Sequence, residues 1–439
     1  MASRRFLSTV ALGASAAMML AACGGGDSDT DGAGGSTATG GGGGGDVTLT
    51  WWHNSNSDPG KAYYEEVAAD FEAANEGVTI EISALAHEDM LTRLDAAFQT
   101  GDAPDVYMER GGGELASHVE AGLTMDLSEV AAEEIEMIGP SVAGWQYEDK
   151  TYALPFSVGV VGFWYNTAMF EEAGITEAPE TMDDFYAAID ALKDSGVEPI
   201  SVGAGDKWPA AHYWYYFAVR ECSEETLVAA GESMDFSDEC FIRAGEDLEE
   251  LVAAEPFNSG FLGTPAQTGA TSASGLLATG RVAMELAGHW EPGVMQGLTE
   301  DNEGLGENTG WFPFPTVEGG EGDPAAPLGG GDAWACSADA PPECVDFIRH
   351  MLSDEVQTGF AELDMGVPTN PNATGSITNP ALADLVTVRD EAPYVQLYLD
   401  TLFGENVGGA MNDAIALMFA GQATPQDIVD ASQAAADNA

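Results

Sequence analysis

The residues best equipped for chemistry lie in short runs that mix aromatic, acidic and amide side chains. They are Trp51-Trp52-His53-Asn54, Glu109-Arg110 before three glycines, Lys207-Trp208 through His212 to Tyr216, His289-Trp290-Glu291, Gly331-Asp332, and Gln396 with Tyr398. Indole planes stack on apolar C–H faces, while carboxylates, amides and imidazoles bond hydroxyl groups. This combination suits non-covalent capture of a polar ligand that also has apolar faces. Covalent catalysis is not marked: there is no GxSxG, HExxH, P-loop or Cys–His dyad. A pair of glycosidase-type carboxylates stays open, since 74 Asp and Glu produce close pairs by chance. No His or Cys stands at zinc-ligand spacing, so neither a metal nor a cofactor is expected.

The elements that must position these residues read as alternating strands and helices. Asp46–Trp52 is rich in strand formers, and a helix from Asp58-Pro59 to about Asn75 places Tyr64, Val67, Ala68 and Phe71 on one face. Val78, Ile80 and Ile82 alternate as a strand, Met90–Thr100 is a second amphipathic helix, and Asp105–Met108 a third short strand. This β-α-β-α-β order predicts a mainly parallel sheet covered by helices, with ligands at the carboxyl ends of its strands. Trp51–Asn54 and Glu109–Gly113 fall at such ends.

Trp51 and Trp52, being adjacent, point to opposite faces of a strand, one into a core and the other to a ligand; the sequence does not say which. His53 and Asn54 either bond hydroxyls or form a turn that caps the next helix. Glu109 and Arg110 read as ligand contacts over a surface ion pair, and His87 and Asp89 are weaker candidates. Trp208 and His212 share a helical face after a strand at Pro199–Val202 and are read as ligand contacts. Trp290 is the stacking candidate, before Pro292 where a helix begins. Gly331 and Asp332 combine bare backbone with a hydroxyl acceptor. Gln396 and Tyr398 read equally as site or core.

Residues 1–23 carry an address. Arg4 and Arg5 precede an apolar Phe6–Leu20 stretch too short to span a bilayer, and Leu20-Ala21-Ala22-Cys23-Gly24 resembles a lipobox whose cysteine is lipidated after cleavage. Residues 24–45 are a Gly-rich tether spanning roughly 25 Å. The other four cysteines allow three pairings, of which the local one, Cys222–Cys240 and Cys336–Cys344, closes short loops in an oxidising exterior.

The 439-residue chain carries 13 Lys and Arg, hence a net charge of −61, spread without an acidic block. That excludes a nucleic-acid partner and disfavours an anionic ligand or an anionic membrane surface, and it reads as a solvated acidic exterior.

Several segments resemble extracellular solute-binding proteins of the carbohydrate ABC-importer type, the maltose-binding-protein-like receptors. Gly101-Asp102-Ala103-Pro104-Asp105-Val106 looks like their Gly-Asp-x-Pro-Asp turn, and Tyr152–Phe156 with Trp164-Tyr165-Asn166 looks like their Y-x-x-P … Y-N segment. Gly280–Met284 to Gly288-His289-Trp290, and Gly329–Asp332, are similar to their later motifs. The resemblance implies an α/β, two-lobed periplasmic-binding-protein type II fold with a hinge of crossing segments. The lobes would be 46–158 plus 316–358 and 159–315 plus 359–439, with crossings near Val158–Gly162 and Pro313–Thr316. It implies a monomeric, lipid-anchored receptor on the outer face of the cell membrane. It would close on a neutral mono- or oligosaccharide, or another polar solute such as a polyol, and deliver it to ABC permease subunits. A lipoprotein glycoside hydrolase is the alternative.

Overall fold

The computed structural model describes residues 46–438; the signal segment, Cys23 and the tether lie outside the described residues. In chain order the strands are β1 (Val47–His53), β2 (Val78–Ala84), β3 (Val106–Glu109), β4 (Gln146–Tyr147), β5 (Lys150–Thr151), β6 (Ala153–Val160), β7 (Gly162–Asn166), β8 (Glu198–Ser201), β9 (Val282–Ala287), β10 (Thr309–Phe312), β11 (Leu328–Cys336) and β12 (Gln396–Leu397). The helices are α1 (Gly60–Ala74), α2 (His87–Thr100), α3 (Gly112–Glu120), α4 (Ala132–Ile138), α5 (Thr167–Glu172), α6 (Met182–Asp194), α7 (Trp208–Glu221), α8 (Glu224–Ser233), α9 (Glu239–Ala253), α10 (Ala273–Ala278), α11 (Glu291–Gln296), α12 (Glu343–Met351), α13 (Asp354–Glu362), α14 (Pro380–Glu391), α15 (Leu399–Phe419) and α16 (Pro425–Ala436). The expected early elements occur within one to three residues of their predicted bounds.

Two sheets organise the described chain. The first runs β12-β11-β3-β1-β2, with β6 also on β11; the second runs β10-β7-β9-β8. β1 pairs parallel with β2 and β3, and β8 parallel with β9, each parallel pair joined through helical crossovers. β11 returns antiparallel against both β3 and β6. The Gly101–Asp105 turn both ends a helix and aligns two strands. Gly101 takes the left-handed conformation that closes α2, and the Asp105 carboxylate accepts both the backbone N–H and the hydroxyl of Thr50, each at 2.8 Å, fixing β3 beside β1.

Each sheet buries both faces. Leu49, Trp51, Met108, Phe156 and Trp334 pack beneath α1 and α12, while Tyr107, Leu115, Trp145 and Ala333 form the opposite face. In the second sheet Phe163, Ile200 and Phe312 meet α7, α9 and α15, and Trp164 and Trp311 meet α10 and α14. The chain passes between sheets at Val161, where β6 gives way to β7, and again over residues 313–327, between β10 and β11. Cys222–Cys240 and Cys336–Cys344 are both paired, with Cα atoms 5.1 and 6.1 Å apart. Among the described residues no helix is long and apolar enough to cross a membrane.

Candidate functional site

The site is built from α7 outward. This helix starts at Trp208-Pro209, where the proline's missing N–H costs nothing, and everything from Pro209 to Glu221 is buried. Trp208 and His212, four residues apart, bring their rings to 5.1 Å. Trp290 caps α11 from the carboxyl side of β9, and its ring stands 6.1 Å from Trp208, nearly perpendicular at 73°. Tyr398, between β12 and α15, stacks on His212 at 5.3 Å and 16°, and meets Trp290 at 6.5 Å. The four rings, drawn from both sheets' surroundings, thus form one cluster. Glycine lets two of them settle: a Cβ on Gly288 would lie 2.3 Å from the Trp290 ring, and one on Gly330 2.6 Å from Tyr398. Behind Trp290, His289 shares a hydrogen bond with Ser157 of β6 at 3.0 Å.

The polar half of the site comes from the carboxyl side of the first sheet. Asn54 follows β1, Arg110 follows β3, and Asp332 interrupts β11 at a bulge. Burial raises the Asp332 carboxyl to about 6, against the opposing pull of Arg110 and of the Asn54 side chain bonded to it. Asn54 also lies 3.4 Å from His87. Arg110 donates from Nε to Glu114 at 2.9 Å and lies 3.9 Å from Asp400; burial works against its charge, but these carboxylates outweigh it. Burial lowers His87 and His212 to about 4, so both imidazoles are neutral at pH 7. Ring cluster and carboxylates adjoin, since burial first, and then Asp332 and Asp400, push the Tyr398 hydroxyl well up. The arrangement offers stacking planes, hydroxyl acceptors and neutral imidazoles. Among the described residues no group of three or more His, Cys, Asp or Glu could hold a metal ion.

Of the residues singled out from sequence, Trp208, His212, Trp290, Tyr398, Asn54, Arg110 and Asp332 thus gather around this cluster. The others are placed elsewhere, each for a physical reason. Trp51 is the core member of its pair, fully buried with its ring edge-on to Tyr64, Trp334 and Phe347. Trp52 is half-buried on the opposite face, against the Tyr107 and Trp145 group. His53 is fully buried, held near 3 by burial, and accepts the Ser55 N–H. Glu109 is also fully buried; it accepts the N–H groups of Arg110 and Gly111 and pairs with His118 at 2.8 Å, so it builds the turn instead of facing a ligand. Glu291 turns inward to Ser274. Gln396 is buried and donates to the Leu397 carbonyl. Gly331 is a close-packing position, where a Cβ would sit 1.8 Å from the Ser157 carbonyl. A surface groove of about 660 Å³ between α9 and α16, lined by Phe236, Ile242, Arg243 and Gln433, includes none of these residues.

Sequence reasoning missed Glu114 and Asp400. Glu114, in the first turn of α3, is only four residues beyond Arg110, a short separation that sequence could have paired; Asp400 carried no local signal.

Comparison with known proteins identifies the family. The family described as bacterial extracellular solute-binding protein matches residues 53–358. A diacetylchitobiose binding protein of Streptomyces coelicolor is 25% identical, the match covering 75% of this chain and 76% of that one. A solved chitin oligosaccharide binding protein superposes with a TM-score of 0.81 at 26% identity, covering 90% of this chain and 99% of its own. A solved protein from work on xylan utilization by Caldanaerobius polysaccharolyticus gives 0.81 at 25% identity, over 88% and 99%. Other relatives match locally, the chain spanning 30% and 42% of their lengths.

Proposed function

The chain belongs to the bacterial extracellular solute-binding protein family, and from that premise we propose that it is the substrate-binding subunit of an ABC importer that closes two lobes around a neutral mono- or oligosaccharide and releases it unaltered. The observation that carries the reading is the ring cluster of Trp208, His212, Trp290 and Tyr398 beside Asp332, Asn54 and Arg110. Rings supply stacking for the C–H faces of a pyranose, and the carboxylates and amide supply hydroxyl partners. The relatives named for diacetylchitobiose and chitin oligosaccharide support diacetylchitobiose as the first ligand to try. The lobes are proposed to divide as 46–158 plus 316–358 and 159–315 plus 359–439. Cys23 would carry the lipid and residues 24–45 the tether, holding a monomer on the outer face of the membrane beside its permease.

Calorimetry of the full chain against diacetylchitobiose, xylo-oligosaccharides, maltose and monosaccharides tests this. Binding of at least one sugar without product release is expected. Tight binding of a peptide or metal with no response to any sugar would sink the proposal, and release of product from an oligosaccharide would make it a hydrolase.

A further inference from the structure

α7 reaches from the ring cluster to both passages between the sheets. Trp208, His212, Tyr216 and Arg220 recur every four residues, one stripe along a helix of about 1.5 Å rise per residue, or about 18 Å in all. The first two face the ring cluster. The last two face the links.

Tyr216 donates its hydroxyl to the carbonyl of Val161, the single residue between β6 and β7, and its ring stacks on Phe314 at 4.5 Å and 5°. Arg220 is 3% exposed and, among the described residues, has no carboxylate within ion-pair distance. It spends its donors on backbone carbonyls of the second link: Phe314 at 3.0 Å, Pro315 at 3.2 Å and Ala326 at 2.7 Å, with Asp323 at 3.4 Å. A buried guanidinium satisfied by carbonyls alone is costly, and burial accordingly lowers its pKa. The second link returns the attachment at the helix end, Gly322 donating to the Arg220 carbonyl at 2.9 Å.

These bonds stop short of β6 and β11. Beyond the pinned atoms come Gly159 and Val160, paired with Gly330 and Gly329. Gly159 lies under His289, and Gly330 under Tyr398, each too close to admit a Cβ. Arg389 of α14 adds one bond, to the Val158 carbonyl at 2.9 Å.

We propose that Tyr216 and Arg220 are positioning residues for capture: they pin the two strand-to-strand links to α7, so that bending of these links falls on Gly159–Val160 and Pro327–Gly330, directly beneath the ligand-facing rings. A ligand that fixes Trp208, His212 and Tyr398 then fixes the flexing strands through one rigid helix. The coupling part of this rests on the receptor reading; the pinning part does not.

The test uses full-length protein with Tyr216→Phe, Arg220→Lys and Arg220→Gln. Hydrogen exchange is followed on peptides covering 158–162 and 313–331, and binding and small-angle scattering use diacetylchitobiose and xylobiose as probes. In the ligand-free variants, exchange should rise at least tenfold over 158–162 in Tyr216→Phe and over 313–327 in the Arg220 variants, while β1–β3 stays as in the parent. Probe dissociation constants should rise about tenfold and ligand-induced compaction should shrink. Tyr216→Phe removes one hydroxyl and keeps the ring, so it answers even where an Arg220 variant fails to fold. Exchange over 158–162 equal to the parent's in Tyr216→Phe overturns the pinning. Faster exchange with unchanged affinity and compaction overturns the coupling, leaving structural anchors. If neither probe binds the parent, the receptor reading for those sugars fails, and the exchange arm still decides the pinning.

Discussion

Replacing Glu291 by Gln should reverse part of the protein's pH dependence of stability. Glu285 of β9 and Glu291 of α11 are 3% and 0% exposed. One hydroxyl, Ser274, stands between them, 3.1 Å from Glu291 and 3.4 Å from Glu285, and can donate to only one at a time. Each carboxyl keeps a buried oxygen without a partner. Burial raises Glu291 to about 8 and raises Glu285 well above the ordinary range, the neighbouring Glu291 carboxyl adding to the latter. The folded chain therefore holds a proton that the unfolded chain releases near pH 4.5. Such a group has its full stabilising effect below the unfolded value and loses it as pH climbs toward the folded one. Each pH unit is worth about 1.4 kcal/mol per carboxyl, so raising pH from 5 to 7 costs at most about 2.7 kcal/mol through Glu291 alone. Glu291→Gln is neutral at every pH and keeps the shape. Urea midpoints at pH 5, 6, 7 and 8 should show parent and variant close together at pH 5 and the variant gaining by roughly 1 kcal/mol per unit above it. Parallel curves from pH 5 to 8 would mean that Glu291 is already ionised in the folded state, and the reasoning from the shared hydroxyl would fall.

Other perturbations address the site and its frame. Trp208→Ala or Trp290→Ala should each weaken sugar binding by about 1–3 kcal/mol in calorimetry, the scale of an aromatic contact with its burial; unchanged affinity in a folded variant would leave that ring purely structural. Because Asp332 titrates at about 6 and its ionised form is the better hydroxyl acceptor, affinity should drop as pH falls from 7 to 5, and Asp332→Asn should flatten that profile; an equally steep profile in the variant assigns the titration elsewhere. Gly330→Ala should push the Tyr398 ring away from β11, since the new methyl would lie 2.6 Å from it, and shift the intrinsic tryptophan emission; an unaltered spectrum and affinity would show that the strand yields instead. Removing the Cys222–Cys240 pair, which closes an 18-residue separation, should cost roughly 2–3 kcal/mol in urea unfolding; a midpoint indifferent to its loss would contradict the assigned role as a loop staple.

How far the sequence reaches depends on whether the determining neighbour is local. The Trp208–His212 pairing was legible because both lie on one helix at a spacing of four. The β-α-β-α-β start was legible because its periodicities switch cleanly and Gly101 and Asp105 punctuate them. Which of Trp51 and Trp52 enters the core was not, because helices cover both faces of the first sheet and Trp51's neighbours, Trp334 and Phe347, come from nearly 300 residues away. Glu109 and Asp332 look alike as acids at strand ends. What separates them is that His118 and two N–H groups consume the Glu109 carboxylate, whereas Asp332 keeps only Asn54 close and feels Arg110 beyond it. Asp400 was invisible for the same reason: its ion-pair partner, Arg110, lies 290 positions earlier.

The placement of the cations bears on the proposed neutrality of the ligand. Arg110, Lys207 and Arg220 are among the few cations available to the site, and the fold gives each of them other partners. Arg110 sits between Glu114 and Asp400. Lys207 turns to Asp413. Arg220 is buried among carbonyls at the links. An anionic ligand entering the ring cluster would have to take Arg110 from two carboxylates while approaching Asp332, inside a chain of net charge −61. Desolvating that anion would then go uncompensated, since neutral His87 and His212 supply no charge. An uncharged polyhydroxylated ligand meets no such penalty, because its hydroxyls can donate to Asp332.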